Sequence, residues 1–241
     1  MTVLDTSTTT SPTSSPARAA GPDVVRVSTW FGLAFTVCQL TVMVGMSIFV
    51  LPRAGRPGGD PLVWGQHVLD AADAYRVGNY VFMVAGVLLL GFLGAVHARL
   101  RRADSTGALA TVALAAGTLL SLVWPYAAVL HDVALETADQ GTDPRLLAGW
   151  DAVAPYSLAF SALPRIFLVL AIVLALRMVG EATWLQRTGT AIAVVSLVGT
   201  ATLVSGSVFP LLALSSLAYE LWIGALAWHW LRRPLDLTAA A

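Results

Sequence analysis

Two ionisable residues stand where water should not reach. In "LAFSALPRIFLVL", residues 158 to 170, Arg165 interrupts a run otherwise made for lipid. In "SSLAYELWIGALAWHWLRR", Glu220 lies near the middle of another such run, pinned between Phe209-Pro210 on one side and Arg232-Arg233 on the other. A carboxyl group at that depth needs a cation, a hydrogen-bonded water path or a proton. Guanidinium keeps its charge and carries five donors that suit a carboxylate, so Arg165 is the expected partner. Ser216 and Gly224 flank Glu220 at four-residue spacing, with Ala213 and Ala227 about two turns away. Small residues mark the side on which helices approach closely, so Glu220 is expected to point into a bundle. Ser157 and Ser161 precede Arg165 at the same spacing and give it a polar lane from one surface. A rival arrangement starts that helix at Pro164 and lets Arg165 snorkel from its end. The buried arrangement is the expectation.

Other polar groups inside apolar runs give the two charges a setting: Gln39, Asn79, Tyr80, Tyr126 beside Pro125, and Ser196 with Thr200. Each has a plain structural reading, because Ser and Thr bond back to their own helix and Tyr favours the interface. Taken together, Glu220, Arg165, Gln39, Tyr126, Asn79, Ser161 and Ser216 are the expected ligand-binding set of an outward-opening intramembrane pocket. Its guest would be a small amphiphile or a membrane lipid. Two alternatives stay open: a membrane enzyme on a lipid-like or terpenoid substrate with Glu220 as general acid, and a structural subunit whose charges only fix packing.

Chemistry of other kinds lacks its residues. All 14 basic residues are arginine, so there is no amine for a retinal Schiff base. The single cysteine, Cys38, cannot form an internal disulfide and reads as packing. His67, Asp70, Asp73 and Arg76 recur every three residues, a period that drifts around a helix, and no HExxH or HxxxH pair occurs. The four histidines lie near run ends, where a haem iron would not find facing ligands. Ser205 and Ser207 have no histidine at their depth to activate them. Metal and cofactor are both expected to be none, and no residue is assigned firmly as catalytic.

The elements that must hold these groups follow from composition. With 57% hydrophobic and 12% charged residues and a mean hydropathy of +0.75, the chain has too little charge to cover a soluble domain of this length. The bilayer is the solvent that suits it. Zero formal net charge argues against nucleic acid as a partner. Six runs are long enough to cross a hydrocarbon core, roughly 27–51, 77–98, 107–130, 157–179, 188–208 and 211–231, the last two joined by a tight hairpin at Phe209-Pro210. Residues 1–23, rich in Ser, Thr and Pro, read as a disordered tail without the apolar stretch of a signal peptide. Residues 24–233 read as one transmembrane domain and 234–241 as a short second tail.

Arginines set the orientation. A cytoplasmic N-terminus puts Arg18, Arg26, Arg99, Arg101, Arg102, Arg177, Arg187, Arg232 and Arg233 inside and leaves only Arg53, Arg56, Arg76 and Arg145 outside with most of the acids. An even helix count returns the C-terminus to the same side. The expected fold is therefore an all-α polytopic bundle of about six membrane-spanning helices, both termini cytoplasmic, in the plasma membrane.

The last helix, with Glu220 opening a Trp-rich stretch, resembles the closing segment of the uncharacterised bacterial membrane proteins grouped as domain of unknown function 4386. "YRVGNYVFMVAGVLLLGFLGAVHARLRR" and the run through Arg187 resemble their middle. The resemblance covers most of the chain after residue 24 and implies a six-helix membrane protein. It marks Glu220 as a position of interest and supplies no activity.

Overall fold

Each expected apolar run is occupied by a helix. The computed structural model describes residues 24–45, 48, 60–151 and 153–233, and among them the chain is helical apart from short turns. The long elements are α1 (Val24–Gly45), α3 (Ala72–Ala103), α4 (Ala108–Asp139), α6 (Val153–Met178), α7 (Thr183–Gly199) and α8 (Phe209–Arg232). Two short helices, α2 (Pro61–Asp70) and α5 (Arg145–Asp151), join them at one end. All the long helices except α7 have the length and apolarity to cross a membrane. Helix α7 has 17 residues and continues as a 3-10 turn, Thr200–Leu203. The expected tails at 1–23 and 234–241, the end of the first run and the segment with Arg53 and Arg56 lie outside the described residues.

The long helices close a ring in chain order: α1 packs on α3, α3 on α4, α4 on α6, α6 on α7, α7 on α8, and α8 back on α1. Lipid tails are as apolar as leucine, so close packing of small residues must hold such a ring together. The sequence supplies it as stripes at three- and four-residue spacing. On α4 the buried stripe is Ala110, Ala113, Ala116, Gly117 and Leu120. On α8 it runs from Leu212 through Ser215, Ser216, Tyr219, Glu220, Ile223, Gly224, Ala227 and Trp230. The opposite faces expose Val87, Leu119, Leu122, Phe160, Phe167 and Leu214, the pattern expected where acyl chains replace water.

Backbones also approach closely between α3 and α4. A methyl group placed on Gly86 would stand 2.5 Å from both the Ser121 carbonyl oxygen and Pro125 Cγ. Pro125 has no N–H to offer the carbonyl four residues before it, which is that of Ser121. Glycine opposite lets the α3 backbone approach the freed oxygen.

Three boundaries differ from the sequence expectation. Helix α4 runs to Asp139, well past 130, because Ala134, Leu135 and Ala138 keep the helical stripe and bury it against Val68, Tyr75 and Leu147, a second small core outside the main one. Helix α2 forms between the first and second runs, where the sequence reading places no helix. Asp60 caps it by accepting from Leu62 N at 2.9 Å, with Pro61 in its first turn. The expected hairpin at Phe209-Pro210 is displaced: α7 ends at Gly199, two 3-10 turns fill Thr200–Leu203 and Gly206–Val208, and Phe209 and Pro210 open α8. Proline is well placed there, since the first helical turn needs no donor from it.

At the opposite end, the start of α1 meets the ends of α3 and α8. Ser28 Oγ donates to the Gly91 carbonyl and accepts from Ala95 N, and Arg99 donates to the carbonyls of Trp230 and Arg233. The N-terminal end of α1 and the C-terminal end of α8 therefore share one side of the bundle.

Candidate functional site

Arg165 lies within a continuous helix and is buried, at 2% exposure, so the snorkelling arrangement does not occur. Pro164 is inside α6 and does not begin it. Twelve residues separate Arg165 from the start of α6, about 18 Å of helix rise. Glu220, eleven residues into α8, is 5% exposed. It faces the bundle, where Gly224 on the same stripe lets Thr36 of α1 approach: a methyl on Gly224 would stand 2.9 Å from that side chain. Thr36 Oγ1 donates to the main-chain carbonyl of Glu220 at 2.9 Å.

The two charges form no ion pair, and Glu220 Oε2 has no hydrogen-bond partner. The guanidinium is held by α8 serines instead. Arg165 Nη1 donates to Ser216 Oγ at 2.6 Å and Nη2 to Ser215 Oγ at 3.3 Å. Each serine hydroxyl in turn donates to the Leu212 carbonyl, at 3.0 and 2.8 Å respectively, so each uses its one hydrogen on its own helix and a lone pair on the arginine. The guanidinium carbon also lies 5.6 Å from the Tyr219 ring centroid, within cation–π range. Tyr219 packs edge-on against Phe35 of α1.

Other buried polar atoms gather at this depth. Helices α1 and α8 run antiparallel, with Gly32 against Ala227 and Thr36 against Glu220 and Gly224. One turn further along the same α1 face comes Gln39, 1% exposed, level with the Ser216–Glu220 turn of α8. Helix α7 is antiparallel to α8 as well, with Gly189 against Trp222 and Gly199 against Leu212, which brings fully buried Ser196 to the level of Ser215 and Ser216. Both amide atoms of Gln39, Ser196 Oγ, Tyr219 Oη, Arg165 Nε and Glu220 Oε2 are buried without a hydrogen-bond partner.

Three helices, α1, α6 and α8, thus bring Gln39, Arg165, Ser216 and Glu220 to one level, and α7 adds Ser196. Ser161, one turn from Arg165, is buried, but its hydroxyl donates to the Leu158 carbonyl of its own helix at 2.7 Å. Asn79 belongs to a different place. Its Nδ2 donates to Asp132 Oδ1 at 2.7 Å and lies 3.1 Å from His131 Nδ1, near the end of the bundle where Arg76 meets Asp139 and Glu136. Tyr126 is 68% exposed and Tyr80 is exposed too, so neither joins the buried level. Ser215, Tyr219 and Thr36 were not among the expected site residues. The first two sit inside the "SSLAYE" segment that drew attention to Glu220, at helical positions that share its buried stripe.

A second concavity lies at the far end. A half-open space of about 390 Å³ lies between the last turns of α3 and α8 and the α6–α7 connection. Arg99, Arg102, Arg233 and Glu181 stand at it, over apolar walls that include Ile172 and Leu176.

No family model, curated protein or solved structure matches the chain, so its function has to be argued from these groups themselves.

Proposed function

We propose that the chain is a multi-pass membrane protein that binds, or passes along, a small amphiphile whose headgroup completes the buried polar level around Arg165 and Glu220. The observation that carries this reading is the set of unpartnered atoms on Gln39, Ser196, Tyr219, Arg165 and Glu220. A buried polar group without a partner costs about 1–3 kcal/mol, and several at one depth favour whatever supplies the missing bonds. Both a guanidinium and a carboxyl group face the level, together with a neutral amide and hydroxyls. That mixture suits a headgroup offering donors and acceptors at once, such as the glycerol of a monoacylglycerol, better than a bare anion.

Gln39 gives the sharpest test, because its amide makes no bond within the protein. The purified chain is melted in detergent with a monoacylglycerol, a fatty acid or lysophosphatidylcholine added. The monoacylglycerol is expected to raise the melting midpoint. Gln39→Leu should leave the empty protein as stable as before, or more so, and should abolish that rise. Two results would overturn the reading: no added amphiphile raising the midpoint, or a rise that survives Gln39→Leu. If, in addition, Arg165→Met and Glu220→Leu each destabilise while the pair together restores stability, the charges serve packing alone.

A further inference from the structure

Arg165 and Glu220 stand at one level with their charges apart, and the helix that carries Glu220 also carries what separates them. Ser216 and Glu220 are four residues apart on the buried stripe of α8, one helical turn or ~6 Å along its axis. Arg165 Nη1 and Nη2 are committed to Ser216 and Ser215, and the guanidinium carbon lies 5.6 Å from the ring centroid of Tyr219, the residue next to Glu220. The carboxyl group is 5% exposed, and its Oε2 makes no hydrogen bond. Arg165 Nε makes none either. The stretches that face Glu220 add no other charge. Residues 32–42 of α1, 158–172 of α6, 189–199 of α7 and 200–208 of the connection to α8 contain two titratable side chains, Arg165 and half-buried Cys38, and α8 adds Tyr219. A lone acid at this depth points to proton chemistry.

An ionised carboxylate in a dry bundle draws the nearest guanidinium to itself, because two charges left apart there cost far more than a pair. A guanidinium that stays on hydroxyls one turn away fits a carboxyl group that carries its proton. The same side chains define a second arrangement. When the acid O–H breaks and its proton passes to water, the carboxylate accepts from Arg165, and the serines keep only their bonds to the Leu212 carbonyl. The first arrangement holds one net positive charge and leaves Nε open to an acceptor. The second is neutral and satisfies itself. A headgroup with acceptor oxygens is therefore held by the protonated form. We propose that Glu220 is the proton-binding residue of a switch in which Arg165 moves one turn along α8, so that a guest and one proton occupy the buried level together and leave it together. The coupling rests on the reading that an amphiphile fills that level; the proton exchange itself does not.

Infrared difference spectroscopy on the full chain in detergent reads the carbonyl stretch of a protonated carboxyl group, and Glu220→Gln identifies the band that belongs to position 220. Raising the pH is expected to remove that band while the fold persists. Ser216→Ala should shift its loss to lower pH, because the guanidinium loses the partner that keeps it from Glu220; a serine that only fills space would not move it. Should Glu220→Gln fold poorly, the band that shifts in Ser216→Ala is the one to follow. Coupling is read by melting the protein with the monoacylglycerol at a series of pH values. Apparent affinity should fall about tenfold per pH unit above the loss of the band, as linkage to one proton requires, and Glu220→Gln should remove that dependence. A position-220 band that persists, or is missing, at every pH would overturn the proton exchange whether or not an amphiphile binds. A band that titrates beside a pH-independent rise in midpoint would overturn the coupling. A titrating band with no rise from any amphiphile would overturn the reading of the guest, and the coupling with it, while the proton switch stands.

Discussion

At position 165 a guanidinium sits deep in a helix bundle with two hydroxyls, an aromatic face and a carboxyl group at some remove. The hydroxyls are its direct partners, and they are not equivalent to the other buried serines. Ser216 accepts from Nη1 at 2.6 Å, a charge-assisted bond, while Ser161 donates only to its own helix. Ser216→Ala should therefore lower stability by about 1.5–3 kcal/mol, the range for a hydrogen bond to a charged group. Ser161→Ala should change it by less than about 0.5 kcal/mol, since a back-bond of this kind adds little to a helix. Melting both variants in the same detergent checks the difference. Equal losses would mean that the serines merely fill space. The sequence made Arg165 and Glu220 legible because charge in an apolar run has few explanations. It did not make the missing ion pair legible, because Ser215 and Ser216 look like ordinary small residues of a helix interface until the facing helix is known.

Between elements, the tightest device is the turn from α3 to α4. Asp104 accepts from Thr106 Oγ1 at 2.6 Å, Thr106 N at 3.0 Å and Leu109 N at 3.0 Å, joining the end of one helix to the start of the next. Gly107 completes the turn at φ +74°, a conformation that favours glycine. The Thr106 hydroxyl, then the Leu109 amide, hold the Asp104 carboxyl below its usual range. A lowered folded value means that this stabilisation is fully present above the unfolded value, about 3.9, and is lost as pH falls through the folded one. The melting midpoint should fall across that acid window, and Asp104→Asn should flatten the fall. A wild-type and variant profile that run parallel below pH ~4 would contradict it. Farther along the same pair of helices, Gly86→Ala would drive a methyl into the Ser121 carbonyl and the Pro125 ring, at an expected cost of about 1–3 kcal/mol. Element ends were the least legible part of the sequence. Val208 and Phe209 prolong an apolar run, so hydropathy alone carries the fifth segment past Gly199, where the helix gives way to 3-10 turns. Ala134, Leu135 and Ala138 belong to a polar-looking segment whose helical stripe has meaning only beside α2 and α5.

For the whole molecule, the long helices, each antiparallel to the next, were legible as six apolar runs, but their closure into a ring was not. It depends on which stripes of small residues face each other, as Gly32 faces Phe92 and Ala227, and no single run contains that information. Closure has a consequence for sidedness. The α3–α4 turn, the α6–α7 turn and the end of α8 share one face with the start of α1, and the α7–α8 connection lies on the other. Arg99, Arg101, Arg102, Arg187, Arg232 and Arg233 all collect at the first face, so by the positive-inside rule that face is expected to be the cytoplasmic one. Exposed Ser105 in the first turn and exposed Val204 in the connection are suitable reporters, because neither packs against another helix. With Cys38→Ala as background, a membrane-impermeant maleimide applied to intact cells should label Val204→Cys at once and Ser105→Cys only after permeabilisation. Labelling in the reverse order would turn the protein over, moving the arginine-lined cavity to the opposite side of the membrane while leaving the helix ring and the polar level around Arg165 as they are.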